Sequence, residues 1–222
     1  MTRDLSVIMP VFNTEAYVAD AIDSVLAGAE GLLELLVVDD GSTDLSAAIV
    51  ERYDAPVRLI HQANAGAPTA RNCALQEARG TLVGFNDADD LWVAGSPDPR
   101  REVLAADPET DVVMGRMRSF VSEPDGALTD VLEPFASPAL GAGLFRRRVF
   151  GRVGLLDPEA RYTDDLEWLL RARGAGVRIA TIDDIVTRYR LHPDSLTRDR
   201  ASSHKALMGT LHASIARRRA AP

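Results

Sequence analysis

Short apolar runs alternate with stretches of helical spacing through the first ninety or so residues, and most runs end in polar clusters. Residues 5–12, Leu-Ser-Val-Ile-Met-Pro-Val-Phe, read as a strand. Asn13 or Thr14 then caps a helix with Val18, Ala21, Ile22, Val25 and Leu26 on one face. A second strand over residues 33–40 runs into Asp39-Asp40-Gly41-Ser42-Thr43-Asp44, and a helix follows over 45–53. Residues 57–61 make a third strand. Pro68 starts the next helix, since proline tolerates a first turn, and Gly80 closes it. The fourth strand lies in residues 81–92, Thr-Leu-Val-Gly-Phe-Asn-Asp-Ala-Asp-Asp-Leu-Trp, and delivers Asp87, Asp89 and Asp90 together. This alternation predicts an α/β fold with a parallel sheet and helices on both faces, which binds ligands beyond the carboxyl ends of its strands. Phe12, Asp39, Asp40 and Asp87 then share one edge.

Beyond Trp92 the pattern loosens. A loop over 95–99 precedes a short helix over 100–106 and a strand over 112–121, and Glu123-Pro124-Asp125-Gly126 is a turn. Pro134, Pro138, Gly141 and Gly143 mark an irregular stretch before residues 144–150, whose Arg146, Arg147 and Arg148 read as a solvated face. Thr163 caps a helix to Arg173, ended by Gly174. The acids in its first turn suit the helix dipole even without a catalytic role. Residues 177–182 and 186–191 read as two strands, the second leading to His192. A helix over 202–219 has Leu207, Met208, Leu211 and Ile215 on one side and basic residues at its end.

Composition narrows the class. Apolar residues at 46% and charged residues at 26% describe an ordinary globular chain. No apolar run approaches the ~20 residues of a membrane span, and residues 1–5 lack the start of a signal peptide. A cytoplasmic location is the expectation. The lone Cys73 excludes an internal disulfide and a thiolate metal cage. Residues 195–222 hold six Arg or Lys against one Asp, a net of +5, so the overall charge of -8 leaves -13 on the rest. That balance argues against nucleic acid as a partner. Three acids in four positions repel one another unless a cation, a solvated edge or protonation intervenes. A divalent metal is the economical explanation, and a solvated acidic turn is the alternative. Neither a glycine-rich dinucleotide loop nor a phosphate loop is present.

Six stretches, taken in order, resemble the family-2 glycosyltransferases, inverting enzymes of the A-type glycosyltransferase fold. They are Ser6-Val-Ile-Met-Pro-Val-Phe-Asn13, Val37-Val-Asp-Asp-Gly-Ser-Thr-Asp44, Asn64-Ala-Gly-Ala-Pro-Thr-Ala-Arg-Asn72, Phe85-Asn-Asp-Ala-Asp-Asp90, Thr163-Asp-Asp-Leu-Glu-Trp168 and Tyr189-Arg-Leu-His192. The resemblance implies a single domain over 1–222 with a Rossmann-like sheet. Residues 1–92 form its nucleotide-sugar half, 93–197 a smaller acceptor and catalytic half, and 198–222 a basic C-terminal helix.

The resemblance also distributes roles. Pro10 and Phe12 flank the nucleotide base, Asp40 accepts a hydrogen bond from it, Asp39 supports that turn, and Arg71 reaches the nucleotide from the third helix. Asp87 lies near the ribose and Asp89 on a Mn²⁺ or Mg²⁺ ion, with Asp90 an open alternative as metal ligand. His192 reaches the metal or the diphosphate. Asp165 is the general base; Asp164 stands where the family usually has Glu, which leaves the choice between the two open. Asn86 replaces a residue that is usually apolar, so that face of the strand should be less buried or meet a partner.

The implied reaction is transfer of one sugar or a few from a nucleotide-sugar to an acceptor hydroxyl on a glycan, a lipid-linked molecule, a natural product or a protein. A UDP-sugar is favoured over dTDP. The Gln-x-x-Arg-Trp signature and membrane helices of processive synthases are absent. The alternative is a nucleotide-sugar-binding relative without turnover. A haloacid-dehalogenase reading fails because the only lysine, Lys205, follows every acidic pair, and a nucleotidyltransferase lacks its basic glycine-rich loop here. The C-terminal helix packs on the domain in the simpler reading, with weak contact to an anionic membrane as the other.

Overall fold

A computed structural model describes residues 3–123, 125–160, 162–193, 195 and 200–220. Pro124 of the expected turn and residues 196–199 lie outside these. Four strands, β1 (Leu5–Val11), β2 (Leu32–Asp39), β3 (Val57–His61) and β4 (Leu82–Phe85), run parallel in the order β3-β2-β1-β4. Their side chains alternate between two cores. Ile8, Leu36, Val38 and Val83 face Ala70, Ala74 and Leu75 of α3 (Ala67–Glu77). Val7, Met9, Leu35 and Val37 face Val18, Ile22 and Val25 of α1 (Val18–Gly28). Both faces of these strands are therefore apolar, as a helix-covered parallel sheet requires.

The sheet continues through later elements. β9 (Gly143–Arg146) lies antiparallel between β4 and β6 (Thr110–Ser122), and β10 (Arg178–Arg190) runs parallel to β6. β5 (Leu91–Trp92) closes the edge against β10, while β7 (Leu128–Asp130) and β8 (Phe135–Ala136) pair with β6. Four further helices, α2 (Ser46–Val50), α4 (Pro97–Ala106), α5 (Arg148–Val153) and α6 (Asp164–Gly174), and a long terminal one, α7 (Arg200–Ala220), complete the chain.

Trp168 locks α6 in place. Its indole is fully buried against Phe145 and Phe150, at ring separations of 5.6 and 4.8 Å. The indole N–H donates to the Gly154 carbonyl at 2.9 Å, so this large aromatic is buried without an orphaned donor. The acids at the start of α6 thereby gain a fixed position relative to the sheet.

Several local expectations change. Neither Asn13 nor Thr14 caps α1, which begins four residues later at Val18. Asn13, at a φ of 52°, instead accepts from the Thr43 N–H, and the Thr14 N–H donates to Ser46. Both are committed to tying the loop after β1 to the loop after β2. Thr163 does precede α6, but its hydroxyl pairs with Thr210 rather than with the helix start. The helix expected over 45–53 shortens to α2. Gly80 is needed for close approach, since a Cβ there would lie 2.6 Å from Asp4 O and Ser6 N of the neighbouring strand. The two strands expected over 177–191 are one, because register shifts around Ile185 absorb the polar Asp183-Asp184 pair as a bulge. α7 rests on α6, where the Thr163 and Thr210 hydroxyls are hydrogen-bonded, yet Met208, Leu211 and Ile215 are exposed rather than buried.

Candidate active site

β1, β2 and β4 end side by side, which brings Phe12, Asp40 and the turn over 86–90 to one edge. Phe12 is half exposed and Pro10 partly buried within β1. Asp39 accepts from the Ser42 N–H at 3.2 Å and faces His61 Nδ1 at 3.3 Å. Asp40 is buried with three donors: Gln62 Nε2 at 2.7 Å, the Ala65 N–H at 2.8 Å and the Gly66 N–H at 2.8 Å. This carboxylate therefore anchors the loop that leads into α3.

Asn86 organises the acidic turn. It is wholly buried, contrary to the expectation of a less buried face, and its side-chain amide donates to the carbonyls of Asp87 and Asp90 at 3.0 and 3.1 Å. An apolar residue could not clamp the turn in this way. Asp87 and Asp89 then face the open side, while the Asp90 carboxylate is buried and accepts from the Arg190 N–H at 2.9 Å. Burial, and then the charges of Asp89 and Asp87, push the Asp90 carboxyl well above the usual carboxylate range. Asp89 meets His192 Nε2 at 2.9 Å. Burial and the Asp87 charge raise the Asp89 carboxyl too, with His192 pulling it back.

Arg71 joins the acidic turn to α6. One guanidinium nitrogen donates to Asp87 at 2.6 Å and another to Asp164 at 2.6 Å, across 93 positions of sequence. Burial alone would favour the neutral form, but Asp87, Asp164 and Asp165 hold Arg71 firmly protonated. Asp165 lies 4.0 Å from the same guanidinium. Its Oδ1 is enclosed without a hydrogen-bond partner, although 27% of the side chain remains accessible. Burial pushes its carboxyl up to about 7; Arg71 opposes that rise, and Asp164 and Asp87 add to it. The two acids of α6 thus differ in what surrounds them. Asp164 is bonded to Arg71, whereas Asp165 has an oxygen free and an affinity for protons suited to neutral pH.

The structure gathers Arg71, Asp87, Asp89, Asp165 and His192 into one region. Pro10, Phe12, Asp39 and Asp40 lie at the adjoining strand ends. Two residues that the sequence reading passes over belong to the same region. Arg190 donates from Nε to the Asp89 carbonyl at 2.8 Å, and its guanidinium lies 5.1 Å from the Tyr17 ring and 4.8 Å from the Phe120 ring. Tyr17 in turn sits 4.6 Å from the His192 ring. The signal for Arg190 lies in Tyr189-Arg-Leu-His192, whereas Tyr17 belongs to none of the six recognisable stretches.

Among the described residues no three His, Cys, Asp or Glu side chains converge as a ready metal cage. Asp89 and His192 nevertheless offer an oxygen and a nitrogen 2.9 Å apart. Adjacent ligands of an octahedral ion with bonds near 2.1 Å lie about 3 Å apart, so the pair fits two positions around such an ion.

Comparisons with known proteins identify the family and the fold. Residues 6–150 match the family model described as glycosyl transferase family 2. The glycosyltransferase EpsJ of Bacillus subtilis is 32% identical over 87% of this chain, which spans 62% of EpsJ. YibD of Escherichia coli is 27% identical over 93% of the chain, and 67% of YibD is covered. The crystal structure of S. aureus TarS in complex with UDP-GlcNAc superposes over 93% of this chain and 65% of its own, with a TM-score of 0.74 at 19% identity. A structure of TarS with UDP gives 0.69 at 23% identity over 86% of this chain and 61% of its own. At these identities TarS shares the fold. The family match covers well over half of the sequence, and the chain belongs to glycosyl transferase family 2.

Proposed function

We propose that the protein transfers a sugar from a nucleotide-sugar, most simply a UDP-sugar, to an acceptor hydroxyl, with a divalent ion and with inversion at the anomeric carbon. One observation carries this reading: Arg71 bridges the acidic turn that suits a donor to the helix that presents Asp165. The fold shared with TarS, which binds UDP and UDP-GlcNAc, supports the donor class.

Each residue then has a task. Asp87, held by Arg71, is placed for the ribose, and Phe12 and Pro10 form a wall for the base. Asp89 and His192 would hold Mn²⁺ or Mg²⁺; Asp90, buried against the Arg190 N–H, supports the turn. Such an ion, when bound, would supply Lewis-acid neutralisation of the charge on the departing diphosphate. Asp165 takes the proton of the acceptor hydroxyl as that oxygen attacks opposite the diphosphate. A base that titrates near 7 is ionised often enough to accept a proton and basic enough to draw one. Asp164, paired with Arg71, orients the helix and does not itself receive the proton.

Two measurements test the reading. A hydrolysis screen over UDP-, dTDP- and GDP-sugars should show turnover with a UDP-sugar, and a blank across the panel would count against it. Calorimetry of UDP should show binding strengthened at least about tenfold by Mn²⁺. Asp89→Ala should lose that gain, and indifference to the ion in both proteins would remove the metal.

A further inference from the structure

α7 carries its apolar stripe on the outside. Thr210 and Ser214 are buried and Leu207 partly so, and the contacts with α6 are polar: the Thr163 and Thr210 hydroxyls meet at 2.7 Å and Arg217 reaches Glu167 at 3.2 Å. Met208, Leu211 and Ile215, spaced so that they share a face, are 41%, 36% and 48% exposed. A helix that merely covered the domain would show the opposite arrangement. Its charge is equally distinct, since residues 195–222 carry a net +5 and the rest of the chain -13.

We propose that α7 is a docking face for the surface of an anionic lipid bilayer. The apolar stripe enters the boundary between headgroups and acyl chains, and the exposed Lys205, with the net positive charge of the sequence from 195 to 222, supplies the attraction to anionic lipid. Charge selects this occupant. Pairing with α7 of a second copy would set +5 against +5, and a neutral bilayer would leave the cations without partners. The acidic body does not cancel the attraction, because charges are screened over about 8 Å at physiological salt. Thr163, which meets Thr210, stands two positions before Asp165, so a bilayer on α7 lies one helix away from the acidic start of α6.

Flotation of the full chain with phosphatidylcholine vesicles, with and without phosphatidylglycerol, tests this directly. Binding is expected only where phosphatidylglycerol is present, weakened by salt, and at least about tenfold weaker when Met208, Leu211 and Ile215 are all changed to Ser. Absence of binding to the anionic vesicles, equal binding to both kinds, or undiminished binding by the triple variant would overturn the proposal. So would a dimer in sedimentation that the triple variant loses, which would assign the stripe to a second copy. Thermal melting checks that the triple variant is folded. Should it not be, Lys205→Glu with Arg218→Glu and Arg219→Glu leaves the stripe intact and is expected to abolish anionic binding; retained binding overturns the proposal.

Discussion

Asp165→Asn is expected to leave UDP affinity within about twofold of wild type while transfer falls by about 10²- to 10⁴-fold, the range a positioned general base contributes. The substitution keeps the size of the side chain and removes its capacity to take a proton. Calorimetry reads the first outcome and a transfer assay the second; comparable transfer by both proteins would end the assignment. The pH profile adds a separate signature. Because burial raises the Asp165 carboxyl to about 7, the ionised base disappears as pH falls below that value. In the wild type kcat/KM should drop about tenfold per unit there and level off above. The residual activity of the variant should lack that limb.

Arg71→Leu should be the most damaging substitution for the fold itself. It leaves Asp164, almost fully buried, facing Asp165 and Asp87 without a cation. Removing one partner of a buried ion pair destabilises by about 3–5 kcal/mol, and a chain of this size then melts roughly 6–20 °C lower. Acidification should narrow the deficit. Burial already raises Asp164 above its ordinary 3.8, with Arg71 opposing, so the variant's carboxyl rises further. As pH climbs from the unfolded value through the raised one, the unfolded chain releases a proton that the folded variant retains, and stability is lost in that window. Melting curves at neutral pH and near pH 5 should therefore differ less between the two proteins at the lower value. An equal gap at both would show that Arg71 acts through packing alone.

The apolar runs made the first half of the fold legible, because a buried parallel strand needs little more than Val37, Val38 and their neighbours in sequence. They also placed the acids, since strand ends in such a sheet must meet at one edge. Long-range pairing was not legible. Nothing local to Arg71 indicates that its partner is Asp164, and Asn86 suggests a less buried face or a partner contact when its buried amide is the clamp of the turn. Asn13 and Thr14 have the chemistry of helix caps, but a neighbouring loop competes for the same groups and wins. The direction in which α7 faces escaped as well. Periodicity reports that Met208, Leu211 and Ile215 share a side; only the partner decides whether that side is inside.

The position of β9 has a consequence for the nascent chain. β4 is made early, yet one of its edges is filled by a strand that leaves the ribosome some sixty residues later, and β6 needs the same strand. Until residues 143–146 emerge, the N-terminal four-stranded unit presents a row of unpaired backbone groups, the kind of edge that recruits other chains. Synthesis halted before that point is expected to yield a species that aggregates, so the order of translation sets the interval during which a chaperone would be of use.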